Sequence, residues 1–324
     1  MEKKIFCFIT FLRALAALII TNSHYVGVYP TDLIANGGLL GDVLFFSISG
    51  FCLVNPRLSF KDWIIKRWLR IYIVVWVITI VYSLIGAYEV NSFIDFVKWF
   101  IHPTKYHFVA SITLLYIPTY FVARYIELNV KNWSLTALFL LLLQVFIYIC
   151  FYDKSYYHID NVRQPMIVFL WAQTMLLGLH FRWRSDNDIK LKWGGIKYIV
   201  LFIMITLYFA SKMLFVKMTT LSPFQIVNQI ILYVTLFTIF DVFQCAESKF
   251  QMLKGRKKVW MIVQWLSDHT LEIYCVQYVI IGFFTHIWTK DMFPINWLCI
   301  TCSILVAAGL LRWVSQYIIK KCKI

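Results

Sequence analysis

Apolar segments of about twenty residues recur along this chain, at 5–28, 38–55, 70–88, 107–126, 133–152, 164–181, 196–216, 223–243, 269–288 and 295–317. A helix rises 1.5 Å per residue, so each segment is long enough to cross a hydrocarbon layer of about 30 Å. Hydrophobic residues make up 61% of the chain and charged residues 15%. Soluble chains run near 45–50% and 25%, so a soluble globule is excluded. No long polar stretch separates the segments, and residues 1–324 are expected to form a single integral-membrane domain. The expected fold class is all-α, a polytopic membrane protein of about ten transmembrane helices. The basic start and apolar run of MEKKIFCFITFLRALAALII suit a signal peptide, but no small-residue cleavage site follows, and the segment reads as a retained first span. Residues 89–106 are apolar yet carry Glu89, Asp95, Lys98 and Lys105, which suits an interfacial stretch better than an eleventh span.

Charge orients the spans. With the N-terminus in the cytoplasm, only Lys98, Lys105, Lys154, Arg163, Lys212, Lys217 and Lys290 of the 31 basic residues fall outside. The rest lie on inner turns and helix ends, as positive-inside topology requires, and both termini are expected in the cytoplasm. The net charge of +15 then reflects topology and attraction to anionic inner-leaflet lipid, and no nucleic-acid partner is implied.

Within the first span, Arg13 and His24 are separated by ten residues with no other charge. Eleven helical steps make almost three turns, placing both on one face about 16 Å apart along the axis. A charge near the bilayer centre costs roughly 2.5–3.5 kcal/mol on insertion scales, so Arg13 needs a partner, water or a ligand. A buried structural polar pair and a functional pair both fit that spacing. After the second span, Arg67 and Arg70 stand at i and i+3 and share a helix face. The planar guanidinium fork suits phosphate, so this face could hold a phosphorylated cytosolic cofactor.

Other polar features read more plainly. The eight cysteines are scattered, and Cys299-x-x-Cys302 lies inside the last span without nearby metal ligands, so all behave as small apolar residues. Asp186-Asn187-Asp188 in an inner turn suits either a metal-dependent sugar-nucleotide site or a solvated acidic patch. His102, His107 and His158 are placed outside, and His180 and His269 at inner span ends, where each suits an interfacial or satisfied histidine. No metal site is called. Gly-rich phosphate loops, nucleophile elbows and H-E-x-x-H are absent.

Four motifs in order give the chain its resemblance: Arg13-x10-His24; Gly41-Asp-Val-Leu-Phe-Phe-Ser-Ile-Ser-Gly-Phe51; Arg67-Trp-Leu-Arg70-Ile-Tyr72; and Leu266-Ser-Asp-His-Thr-Leu-Glu-Ile-Tyr274-Cys-Val-Gln277. Together they resemble the acyltransferase-3 family of integral membrane acyltransferases, over essentially the whole chain. Three positions depart from the family pattern. Val43 stands where the family often has Asp, with Asp42 one helical step away. Ile73 replaces a Pro. Gln277 replaces the late His, which removes a second catalytic His there.

The resemblance implies transfer of an acyl group, usually acetyl from acetyl-CoA, to a hydroxyl of a surface polysaccharide or lipid-linked glycan at the bacterial cytoplasmic membrane. His24 would be the general base or a transient acyl carrier, since His suits proton transfer near neutral pH. Arg13 would orient the donor or offset developing negative charge. Arg67 and Arg70 would hold the CoA phosphates at the inner mouth. Ser49 and Gly50 are expected to permit close helix packing. The outer-turn aromatics Tyr106, Tyr156, Tyr157 and Trp297 suit the aromatic belt better than sugar stacking. The competing expectation is a transporter or flippase whose path is lined by Arg13 and His24.

Overall fold

The computed structural model describes residues 6–54, 56–191 and 194–322. Among these residues the chain is helical throughout, with turns and no strand. The helices are α1 (Cys7–Ser23), α2 (Gly38–Cys52), α3 (Phe60–Leu84), a short α4 (Phe93–Phe96), α5 (His107–Tyr125), α6 (Val130–Phe151), α7 (Pro165–Asp186), α8 (Ile196–Lys217), α9 (Ile226–Cys245), α10 (Glu247–Gly255), α11 (Lys257–Asp268), α12 (Thr270–Ile287) and α13 (Ile295–Lys321). Each expected apolar segment coincides with one of them. Six are long and apolar enough to cross a membrane: α5, α6, α8, α9, α12 and α13. α1 and α2 are apolar but shorter. α3 carries Lys61, Asp62, Lys66, Arg67 and Arg70 in its first half, and α7 carries Arg182, Arg184 and Asp186 near its end.

Several boundaries move for local reasons. α1 stops at Ser23 rather than at residue 28, because His24 N bonds Thr21 O at 3.1 Å and Gly27 takes φ +82°. His24 therefore sits in the turn that closes the helix. α3 starts ten residues earlier than hydropathy suggests, because Ser59 Oγ accepts from Asp62 N at 3.2 Å and Asp62 suits the positive helix start. Residues 93–101 form only α4 and a five-residue π-turn, too short to cross. That stretch exposes Phe93, Ile94, Phe96 and Ile101 and buries Trp99, which fits an interfacial segment.

Two compact units share the chain. The first comprises Met1–Leu12, Val43–Pro56 and Pro118–Trp260, the second Arg13–Asp42, Arg57–Ile117 and Met261–Ile324. In the first unit α7 is buried on all sides along most of its length, and Phe46 stacks on Trp171 at 4.8 Å. A Cβ on Gly50 would overlap the Met175 carbonyl, and one on Gly178 the Ser47 carbonyl, so α2 and α7 cross backbone to backbone. Gly50 thus serves close packing. Arg184 pairs with Asp241 at 2.6 Å, both buried. Gln173, Gln144 and Gln229 form a ladder of amide bonds at 2.9 and 2.6 Å that ends on Ile159 O. Glu247 accepts from Cys7 N at 3.0 Å and Phe8 N at 2.9 Å, capping the start of α1.

In the second unit α3, α12 and α13 pack together around Val75, Ile78, Val276, Ile304 and Ala308. Tyrosine hydroxyls fix their register. Tyr82 donates to Val276 O at 3.1 Å, and Tyr25 bonds Thr301 at 2.8 Å. Arg13, His24, Arg67 and Arg70 all belong to this unit.

Candidate active site

The turn at His24 is assembled from α1, α2 and α12. Gly41 brings α2 against α1: a Cβ there would meet Ile20 Cγ1 at 2.6 Å and Ile20 N at 3.0 Å. Ile20 and Ala16 lie between Arg13 and His24 on the same helical stripe, so α2 runs along the face that carries both residues. A Cβ on Gly38 would likewise meet Ser23 Oγ at 2.6 Å, beside His24. Asp42 follows Gly41, is half-buried and lies within electrostatic reach of the Tyr274 hydroxyl. Val43, at the position where the acidic residue was expected by resemblance, is fully buried.

α12 closes the other side. Thr21 Oγ1 donates to Gln277 Oε1 at 2.6 Å and also lies 2.9 Å from Ala17 O. One turn further along, Tyr278 meets the His24 ring edge-on, with centroids 6.3 Å apart at 85°. The half-buried His24 ring makes no hydrogen bond to the described residues, so both its nitrogens can address a bound group. Arg13, three turns back on the same stripe, is half-buried and already engaged within the protein.

The Arg67–Arg70 face divides. Arg67 lies over the Trp63 ring at 5.6 Å, one turn back on α3. Arg70 is exposed and lines a cleft of about 380 Å³ with Asp268, Glu272, Arg312 and Gln316. In that cleft Arg312 Nη1 bonds Asp268 O and lies 3.3 Å from Glu272 Oε1. Glu272 is only 3% exposed, and its second oxygen has no hydrogen-bond partner. Arg312 and Glu272 were not singled out from sequence. The available signal was the one that marked Arg13, a charge inside an apolar run.

The remaining candidates are occupied structurally. His158 is sandwiched by Tyr152 and Tyr156, with Nδ1 2.8 Å from Tyr156 O. His269 stacks on Trp265 at 3.9 Å and His180 on Trp133 at 4.1 Å. Asp186 pairs with Arg182, and Asp188 with Lys190, each at 2.9 Å, so the acidic turn is neutralised by its own cations. Cys299 and Cys302 are both free and exposed.

No curated protein and no solved structure matches the chain. A family model described as an acyltransferase domain matches residues 8–313. That range runs from the start of α1 past Arg312, taking in the His24 turn and the cleft residues Arg70, Asp268, Glu272 and Arg312, and the all-helical, apolar architecture agrees with it. The transporter reading finds no support in the match. The chain belongs to the acyltransferase-3 family.

Proposed function

We propose that this membrane acyltransferase moves an acetyl group from cytosolic acetyl-CoA to a hydroxyl of a surface polysaccharide or lipid-linked glycan. In this reading ten helices span the bacterial cytoplasmic membrane, both termini are cytoplasmic, and residues 1–324 act as one domain. The observation that carries it is the His24 turn: a half-buried imidazole with uncommitted nitrogens, framed by Tyr278, in a chain of the acyltransferase family.

The chemistry follows from the residues. The acceptor oxygen attacks the thioester carbonyl carbon while His24 takes the hydroxyl proton. The carbon–sulfur bond breaks, the acetyl ester forms, and CoA leaves as a thiolate that regains a proton. Arg13 offsets negative charge on the carbonyl oxygen as the tetrahedral centre forms. Arg67 and Arg70 hold the CoA phosphates. With the amino terminus cytoplasmic, His24 lies nearer the outer surface than Arg13, so the acceptor approaches from outside and the donor from within.

Membranes carrying the protein, given labelled acetyl-CoA and acceptor glycan, test the proposal. His24→Ala should lose about 10²–10⁴-fold in transfer, the usual contribution of a general base, at unchanged protein level. Full transfer by that variant refutes the assignment.

A further inference from the structure

The cleft beside Arg70 holds two charged residues, Arg312 and Glu272, that the acyl-transfer steps above do not use. Two arginines, Arg70 on α3 and Arg312 on α13, line it together with Asp268 and Glu272. Arg312 carries five N–H donors, yet its bonds to Asp268 O and Glu272 engage Nη1 alone. The Glu272 contact, at 3.3 Å, is longer than the 2.7–2.9 Å usual for a charge-assisted bond. Glu272 Oε2 is buried without a donor. A buried carboxylate with one bare oxygen, and an arginine with most of its fork uncommitted, together describe a ligand. It carries a phosphate for the guanidinium groups and, within reach of it, an N–H or O–H for Glu272. A volume of about 380 Å³ lies in the range of small-molecule sites.

We propose that this cleft seats the nucleotide end of the acyl-CoA donor, with Arg312 joining Arg70 on a phosphate and Glu272 accepting a hydrogen bond from the adenosine moiety. The inference rests on acyl-CoA being the donor, as argued above, and gives that donor two residues on α12 and α13 beyond the Arg67–Arg70 pair. Glu272 and Asp268 hold Arg312 in place, and the arriving phosphate displaces the weak Glu272 contact.

The test uses the full-length protein in phosphatidylcholine nanodiscs and measures binding of adenosine 3′,5′-bisphosphate and of inorganic phosphate. Arg312→Gln should weaken adenosine 3′,5′-bisphosphate binding about tenfold or more. Arg312→Lys, which keeps the charge but not the fork, should fall between. Glu272→Leu should shrink the preference for the bisphosphate over inorganic phosphate, a ratio that a general loosening would leave alone. Unchanged binding in Arg312→Gln overturns the proposal. So does absence of bisphosphate binding by wild-type protein that transfers acetyl from acetyl-CoA. A wild-type protein that binds the bisphosphate through Arg312 but transfers nothing refutes the acetyltransferase reading and leaves the nucleotide seat standing.

Discussion

Thr21 on α1 donates a 2.6 Å hydrogen bond to Gln277 on α12, both side chains buried. This bond lies one turn before His24, at the position where the late motif departs from a histidine. A glutamine there supplies no base, and instead anchors the helix end that presents His24. Gln277→Leu should therefore act on geometry. Loss of one buried hydrogen bond costs about 1 kcal/mol, while Thr21 keeps its contact with Ala17 O. A small fall in Tm in detergent should accompany a larger fall in transfer rate. A variant with a lowered Tm but wild-type transfer contradicts the anchoring role.

Tyr278 offers a cleaner separation of ring from hydroxyl. Its edge-on contact with His24 needs only the aromatic ring, so Tyr278→Phe should transfer acetyl nearly as well as the parent. Tyr278→Ala removes the wall that fixes the imidazole and should lower kcat while protein level holds. Equal loss in both variants would point to the hydroxyl instead.

The buried Arg184–Asp241 pair tests how the first unit is held together. Removing one partner leaves an uncompensated buried charge, and Arg184→Ala should cost about 3–5 kcal/mol. Replacing both with apolar residues of similar volume, Arg184→Met with Asp241→Leu, should restore most of that loss. Yield of monodisperse protein and thermal unfolding in detergent measure both effects. A double variant as weak as the single would show that the pair does more than balance its own charges.

The turn that follows α1 has a pH signature. The Gly27 N–H and the Lys290 ammonium, 2.9 Å away, hold the Asp32 carboxyl below the usual carboxylate range. Because the folded pKa is depressed, the tie is fully present above the ordinary carboxylate pKa near 4. It is lost as pH falls through the lower folded value. The protection factor of the Gly27 amide, its exchange relative to the intrinsic rate at the same pH, should therefore fall on strong acidification, and Asp32→Asn should lower it at neutral pH. A protection factor at Gly27 that is insensitive to both changes would rule the tie out.

Hydropathy located a helix at each of the ten apolar segments, because a segment that must satisfy its own backbone in lipid has little choice but to be helical. It failed at ends set by polar atoms. α3 begins early on the Ser59 cap, and α1 ends early on the Thr21–His24 turn. The Arg67–Arg70 spacing was readable, and so in principle was its division, since Trp63 stands four residues before Arg67 and captures it. The Arg312–Glu272 contact was not readable. Forty residues and a loop separate the two, and nothing in either helix alone says which face meets the other.

The carboxylate of Glu247 on the first amides of α1 carries a consequence for assembly. The helix that bears Arg13 and leads into the His24 turn is synthesised before α10, yet its leading amides find their acceptor only after some 240 further residues have been made. Until then its amino end depends on water or lipid headgroups. A helix made early is thus fastened late, and Glu247→Ala should slow maturation more than it weakens the finished protein.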